Sequence, residues 1–303
     1  MATTANPPSR LSQSFQNLAF SAHGDQWSLM YKDGFHPWDR DGPSDALEEL
    51  LLTRDDLVPR AQGHDLQGNL VRQTALVPGC GRGHDVLLLS KFGYDVVGLD
   101  VSPDALRMAE ENRQKAEGTG RYEPEPGLER GDIKWVSGDF FSEGVLDGFG
   151  TDGSGKFDLI YDYTVRPGLP PQPLLLLQAT NSSEHRKQFL CALPPEARPR
   201  WAKRMSELLR PSGRLVCLEF PSGKPLSEKG PPWGVTPEMY EALLSAPGEE
   251  ISYNADGSPV ETTAAKPDAN ALHRSGLIRP AKTHAAGTNK DGTVSDFISV
   301  WSR

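Results

Sequence analysis

The residues from 76 to 100, LVPGCGRGHDVLLLSKFGYDVVGLD, carry the strongest chemical signal in the chain. Gly79, Gly81 and Gly83 come directly after an apolar run, and Asp100 closes the next one. Glycines allow a tight turn and let a ligand approach the backbone. A carboxylate at the end of the following strand can accept hydrogen bonds from both hydroxyls of a ribose. A Gly-rich turn with a solvent-facing acid would also contain such residues. Strand, glycines, helix, strand and terminal acid in one register favour a nucleotide. The pattern is G-x-G-x-G rather than the G-x-G-x-x-G of pyrophosphate binders, and no G-K-[ST] follows. Asp139 and Phe140, after a later strand, supply a carboxylate and a ring for an adenine. These features fit an adenosyl ligand without a diphosphate, with dinucleotide binding as the alternative.

The elements that must position these residues can be read around them. Thr74–Pro78 predicts a short buried strand, His84–Phe92 a helix and Asp95–Val101 a second strand. Pro103–Gln114 predicts a helix with Ser102 as N-cap and proline at its first position. Ile133–Phe140, Phe157–Tyr163 and Gly213–Phe220 predict three more strands, and Glu196–Leu209 an amphipathic helix. Strands alternating with helices in this way imply an α/β fold with a doubly wound parallel sheet. Asp296–Trp301 alternates like an edge strand that pairs near Ile278–Thr283. Ahead of the sheet, Trp27, Met30 and Tyr31 share one helical face. Ser44 caps a second helix over Ser44–Leu52. Residues 1–14 read as disordered, and parts of Gly118–Gly131, Gly148–Gly155 and Ser222–Asn270 as surface loops.

Composition narrows the function classes. The chain has 303 residues, 37% of them hydrophobic, and a net charge of −9. That length supports one α/β domain over residues 15–303. No clustered Lys and Arg offer a footprint for a nucleic acid. No apolar run approaches a membrane span, and no charged-then-apolar leader opens the chain. Cys80, Cys191 and Cys217 have neither metal-ligand nor disulfide-framework spacing, so they read as reduced thiols of a cytosolic protein. The Asp, Glu, His and Cys spacing predicts no metal site.

Five motifs together carry a resemblance: W-x3-Y-x-D-G-F-H-P-W-D-R-x-G-P, A-L-V-P-G-C-G-R-G-H-D-V, V-S-G-D-F-F, F-D-L-I-Y-D-Y-T, and L-E-F-P followed by G-P-P. They span about Gln26 to Pro232. The chain resembles the thiopurine S-methyltransferase family, and most closely its filamentous-fungal thiol methyltransferases. The resemblance implies a seven-stranded, Rossmann-like class I methyltransferase with an N-terminal aromatic lid. It further implies a monomeric cytosolic enzyme that moves the methyl group of S-adenosyl-L-methionine to a small-molecule thiol. Fungal relatives act on secondary-metabolite thiols, including dithiols of the gliotoxin type, and plant relatives methylate halide and bisulfide ions.

Carried over by the resemblance, Trp27 and Trp38 close over the cofactor, and Tyr31 stands where the family often has a second Trp. Gly79 approaches the methionine and ribose part, Gly81 belongs to the same cofactor-binding set, and Asp100 binds the ribose. Asp139 and Phe140 contact the adenine, and Tyr163 contacts the cofactor. Core packing is the other reading of Trp27 and Trp38. No catalytic base is assigned. Asp162, Tyr163, Asp39 and Arg40 are the polar candidates for guiding a thiol proton, each equally suited to structural hydrogen bonding. His36 and His84 read as neutral scaffold residues.

One segment departs from the family pattern. Thr164 is followed by the 24 residues Val165–Gln188 before Phe189–Pro195 restores the motif. Its periodicity suits neither helix nor strand. We read it as an in-frame intron retained in the gene model, with a genuine surface loop as the alternative. Outside thiol methylation, the rival functions are halide or bisulfide methylation, an NAD-type oxidoreductase, and a degenerate adenosyl-binding protein.

Overall fold

The computed structural model describes residues 10–15, 17–36, 38–39, 41–163, 189–221, 225–226, 231–260, 268–283, 287–289 and 291–303. The segment Val165–Gln188 and the candidate Arg40 lie outside the described residues.

Seven strands form the central sheet: β3 (Thr74–Pro78), β4 (Asp95–Asp100), β5 (Ile133–Ser137), β6 (Phe157–Asp162), β7 (Leu209–Glu219), β8 (His273–Ile278) and β9 (Phe297–Ser302). Their spatial order is β5-β4-β3-β6-β7-β9-β8. The first five in that order are parallel, and β9 runs antiparallel to both β7 and β8. A separate hairpin joins β1 (Gln62–His64) to β2 (Leu70–Arg72). Every residue of TALVP in β3 is buried, as a central parallel strand covered on both faces requires. Alternate residues serve two cores: Ala75 and Val77 pack with α3 (Asp45–Thr53) and α4 (His84–Lys91), whereas Leu76 packs with α7 (Arg198–Leu208) and α8 (Pro237–Ser245). The chain winds outward from β3 to β5 and then returns to β6. The β3/β6 boundary is therefore the switch point, where ligands of open α/β sheets bind at the carboxyl ends of strands.

Local signals account for the helices near that edge. Ser44 accepts from Leu47 N (3.3 Å) to cap α3, and Ser102 accepts from Ala105 N (3.3 Å) to cap α5 (Pro103–Ala116). Trp27, Met30 and Tyr31 lie on α2 (His23–Lys32), and the short α6 (Phe189–Ala192) precedes α7.

Five expectations are corrected. β9 is not an edge strand: β8 covers its outer side, and residues 298–301 are buried. Its partner runs from His273 to Ile278, upstream of most of the expected region. β5 stops at Ser137, which leaves Gly138–Phe141 free to turn into the cleft described below. Within Ser222–Asn270, α8 buries Met239, Tyr240, Leu243 and Leu244, with Thr236 as its cap and proline at its start. Arg10–Phe15 is a helix, α1, in a stretch whose composition suggested disorder; Leu11 and Phe15 are buried beside Met30, Tyr31 and Trp38. Among the described residues no helix is long and apolar enough to cross a membrane.

Candidate active site

The loop between β3 and α4 is shaped by backbone conformation. Gly79, Gly81 and Gly83 have φ of 63°, 55° and 74°, a region that side chains disfavour. A Cβ on Gly83 would also lie 2.5 Å from the Trp135 ring. Asp100, 6% exposed, fixes this loop from the end of the next strand. One carboxylate oxygen accepts from Gly81 N (2.8 Å) and the other from Ser102 N (2.9 Å). Each oxygen has a second lone pair, so the acid that holds the loop can also accept from a ligand.

Over the loop sits an aromatic cluster. Trp38 Nε1 donates to Tyr31 Oη (2.9 Å), and the Trp38 ring meets Trp27 and Tyr31 edge-on at centroid distances of 5.4 and 5.3 Å. Phe15 packs on Trp27 at 4.1 Å. Tyr31 Oη lies only 2.7 Å from where a Gly81 Cβ would be, so a bare glycine is what lets this ring seat on the loop. Gly24 approaches Val101 similarly closely, 3.0 Å from its would-be Cβ. Burial, and then the nearby Asp100 charge, pushes the Tyr31 hydroxyl well above its ordinary range.

Polar contacts anchor the segment after α2. Asp39 and Asp41 both pair with the Arg82 guanidinium (2.6 and 2.5 Å), and His84 Nε2 lies 3.5 Å from Asp39. Burial alone would raise the Asp39 pKa. The His84 hydrogen bond and charge, the Asp41 N–H and Arg82 outweigh that and hold it at about 2. Asp39, Asp41 and His84 also converge closely enough to hold an ion, a grouping that their spacing in the sequence does not reveal. In this arrangement Arg82 already bridges the two carboxylates.

These elements enclose a cleft of about 470 Å3 at the carboxyl ends of β3, β4 and β5. Seven of the nine residues proposed from sequence line it together: Trp27, Tyr31, Trp38, Gly79, Asp100, Asp139 and Phe140. Gly81 and Tyr163 border a smaller adjoining cavity, along with Asp39, Cys80 and His84. The catalytic candidates divide. Tyr163 and Asp39 border that cavity, whereas Asp162 is fully buried beside Cys217 and lines neither space. Sequence reasoning missed Phe20, His23, Phe141, Leu193 and Arg200 in the cleft wall. Phe141 directly follows Phe140 and could have been found from it; Arg200 looks like an ordinary amphipathic-helix residue.

A doubly wound sheet with this glycine loop, strand-end acid and aromatic cover suits an adenosyl ligand, and the family match makes the class that of methyltransferases that use S-adenosyl-L-methionine. The family model for thiopurine S-methyltransferase matches residues 22–173 and 185–270, and the chain belongs to that family. The gap between the two matched parts falls inside Val165–Gln188. Among curated relatives, the chain is 30% identical over 236 residues to a probable thiol methyltransferase 2 of Arabidopsis thaliana, covering 78% of each. It is 31% identical over 218 residues to thiocyanate methyltransferase 1 of Brassica oleracea, covering 72% of this chain and 70% of that one. A thiopurine S-methyltransferase of Vibrio campbellii is 29% identical over 179 residues, or 56% and 64%. In fold, the chain is similar to magnesium protoporphyrin IX methyltransferase from Synechocystis PCC 6803 with bound SAH. The TM-score is 0.50 at 13% identity, covering 93% of this chain and 99% of that one.

The residues present fit the cofactor. The cleft has the volume of a small-molecule site, aromatic walls suited to an adenine, and a strand-end carboxylate suited to a ribose.

Proposed function

We propose that this chain methylates the sulfur of a small-molecule thiol, as a monomer in the cytosol, with the expected domain over residues 15–303 extended to take in α1. The observation that carries the reading is the single cleft shared by Gly79, Asp100, Asp139 and Phe140 with Trp27, Tyr31 and Trp38. In this reading Asp100 holds the ribose, Asp139 and Phe140 hold the adenine, and Gly79 and Gly81 give the methionine part close access to the backbone. Tyr163 contacts the same ligand from the adjoining cavity. When bound, the cofactor supplies an electrophilic methyl group on a sulfonium sulfur.

The protein's own contribution is orientation and exclusion of water. Trp27, Tyr31 and Trp38 line the cleft, and in this reading they pack over the bound cofactor and keep water from the reacting atoms. The thiolate is the reactive form of a thiol, and small thiols ionise appreciably near neutrality, so the site need not contain a strong base. Asp39 suits an anchoring role better than proton abstraction, because Arg82 and His84 hold it ionised at a pKa of about 2. A dithiol secondary metabolite is the acceptor favoured by the resemblance to fungal enzymes. The similarity to a thiocyanate methyltransferase supports an inorganic sulfur anion as the second reading, and a halide rests on the family resemblance alone.

The test incubates purified protein, with and without Val165–Gln188, with S-adenosyl-L-methionine and a panel of thiols, dithiols, bisulfide, thiocyanate and iodide. Mass spectrometry then reads the products. S-methylated thiols are expected, and their relative yields rank the acceptors. Product from the shortened form alone would identify the segment as an intron or an inactivating insertion. Failure of the shortened form to bind the cofactor would overturn the proposal.

A further inference from the structure

Arg200 differs from the other cations near the cleft. It is an exposed residue in the first turn of α7 that lines the cleft, and its described contacts are with two aromatic faces. Its guanidinium carbon lies 4.9 Å from the Phe141 ring centroid and 5.9 Å from that of Phe20. The two rings also meet each other edge-on, at 5.5 Å. Phe141 belongs to the body of the fold. One turn further along α7, Arg204 donates to the carbonyls of Phe140 and Ser142 (3.3 Å each), which fixes that loop to the helix. Phe20 belongs instead to the N-terminal segment that forms the opposite wall with His23, Gly24 and Trp27. Arg200 thus spans the two walls at the end of the cleft bordered by Asp139 and Phe140.

We propose that Arg200 is a positioning residue that retains the cofactor: its guanidinium latches the N-terminal segment at Phe20 onto Phe141, across the adenine end of the cleft. The proposal rests on the methyltransferase reading for the identity of the ligand, and on contacts within the protein for the latch itself. Release of the ligand past this end requires the segment to lift, and lifting breaks the contact of Arg200 with Phe20. A guanidinium over an aromatic face at an exposed position shifts such an opening equilibrium by about 2- to 5-fold. Arg200 donates nothing to the transferred group in this arrangement. Its effect is on residence time.

Three variants of the full chain test this: Arg200→Ala, Arg200→Met, which keeps an apolar contact without the charge, and Arg200→Lys, which keeps the charge. The dissociation rate of S-adenosylhomocysteine is read by stopped flow from the tryptophans of the cleft. Both uncharged variants should release it about 2- to 5-fold faster, and Arg200→Lys should recover part of the difference. In a Phe20→Ala background, Arg200→Ala should add little, because the latch is already broken. Without ligand, hydrogen exchange of the α2 amides should rise in Arg200→Ala while the melting temperature holds. Additive effects of the two substitutions, or unchanged α2 exchange, would refute the latch. A faster release in Arg200→Ala with no effect of Phe20→Ala would show instead that Arg200 acts on the ligand directly. Loss of all S-adenosylhomocysteine binding by the unaltered protein would count against the methyltransferase reading, and the exchange measurement would still decide the latch.

Discussion

Glu219 closes β7 with no exposed surface, on the sheet face it shares with Cys217 and next to the strand carrying Ser299. Burial is the main cause that lifts its pKa, from 4.5 to about 7. Ser299 and Arg274 pull the other way, while Glu238 and Glu241 on α8 add to the rise. A carboxyl whose folded pKa is raised keeps its proton in the native state after the unfolded chain has lost it. Stability therefore falls as pH climbs from about 4.5 to 7, and levels off above. At about 1.36 kcal/mol per pK unit, the full penalty is about 3 kcal/mol, a large part of a typical folding free energy. Glu219→Gln keeps the shape and some of the hydrogen bonding but removes the ionisation. Urea unfolding of both proteins at pH 5, 6, 7 and 8 measures the difference. The variant should gain on the wild type by about 2–3 kcal/mol between pH 5 and 8, with unchanged m-values. A difference that stays constant with pH would refute the reasoning.

Other expectations concern the site itself. Gly81→Ala places a methyl group 2.7 Å from Tyr31 Oη at a φ of 55°, so S-adenosylhomocysteine affinity should fall about 5-fold or more by calorimetry. Tyr31→Phe in that background should restore part of the loss, and failure to do so would remove the steric cause. Asp100→Asn turns an amide donor towards either Gly81 N or Ser102 N and should weaken cofactor binding about 10- to 100-fold. Asp39→Asn should cost about 2 kcal/mol at neutral pH, since the folded pKa is lowered from 3.8 to about 2. That contribution is complete above about pH 4 and lost as pH falls towards 2, so denaturation curves of variant and wild type should converge in acid.

Much of this fold was legible because its signals are short-range. β3 was expected over Thr74–Pro78 and is observed there, and Ser44 and Ser102 cap the helices their sequences announce. α8 was missed because its core-facing pattern is brief and flanked by Gly, Pro and polar residues, although Thr236–Pro237 is itself a helix-start signal. The strand order places β9 between β7 and β8, a fact of pairing that the period-2 pattern of DFISVW does not encode.

The candidate site divides along the same line. By itself the sequence determined the glycine loop, its partner acid at the next strand end, the aromatic segment ahead of them and the family they belong to, because each is a matter of residue type at fixed local spacing. Only the tertiary structure decided that Tyr31 seats on Gly81, that Arg82 gathers Asp39 and Asp41, and that Phe20 and Arg200 meet at the cleft wall. These contacts join segments distant in the chain. Their energies depend on which surfaces the sheet topology brings together, and periodicity along the sequence carries no record of that.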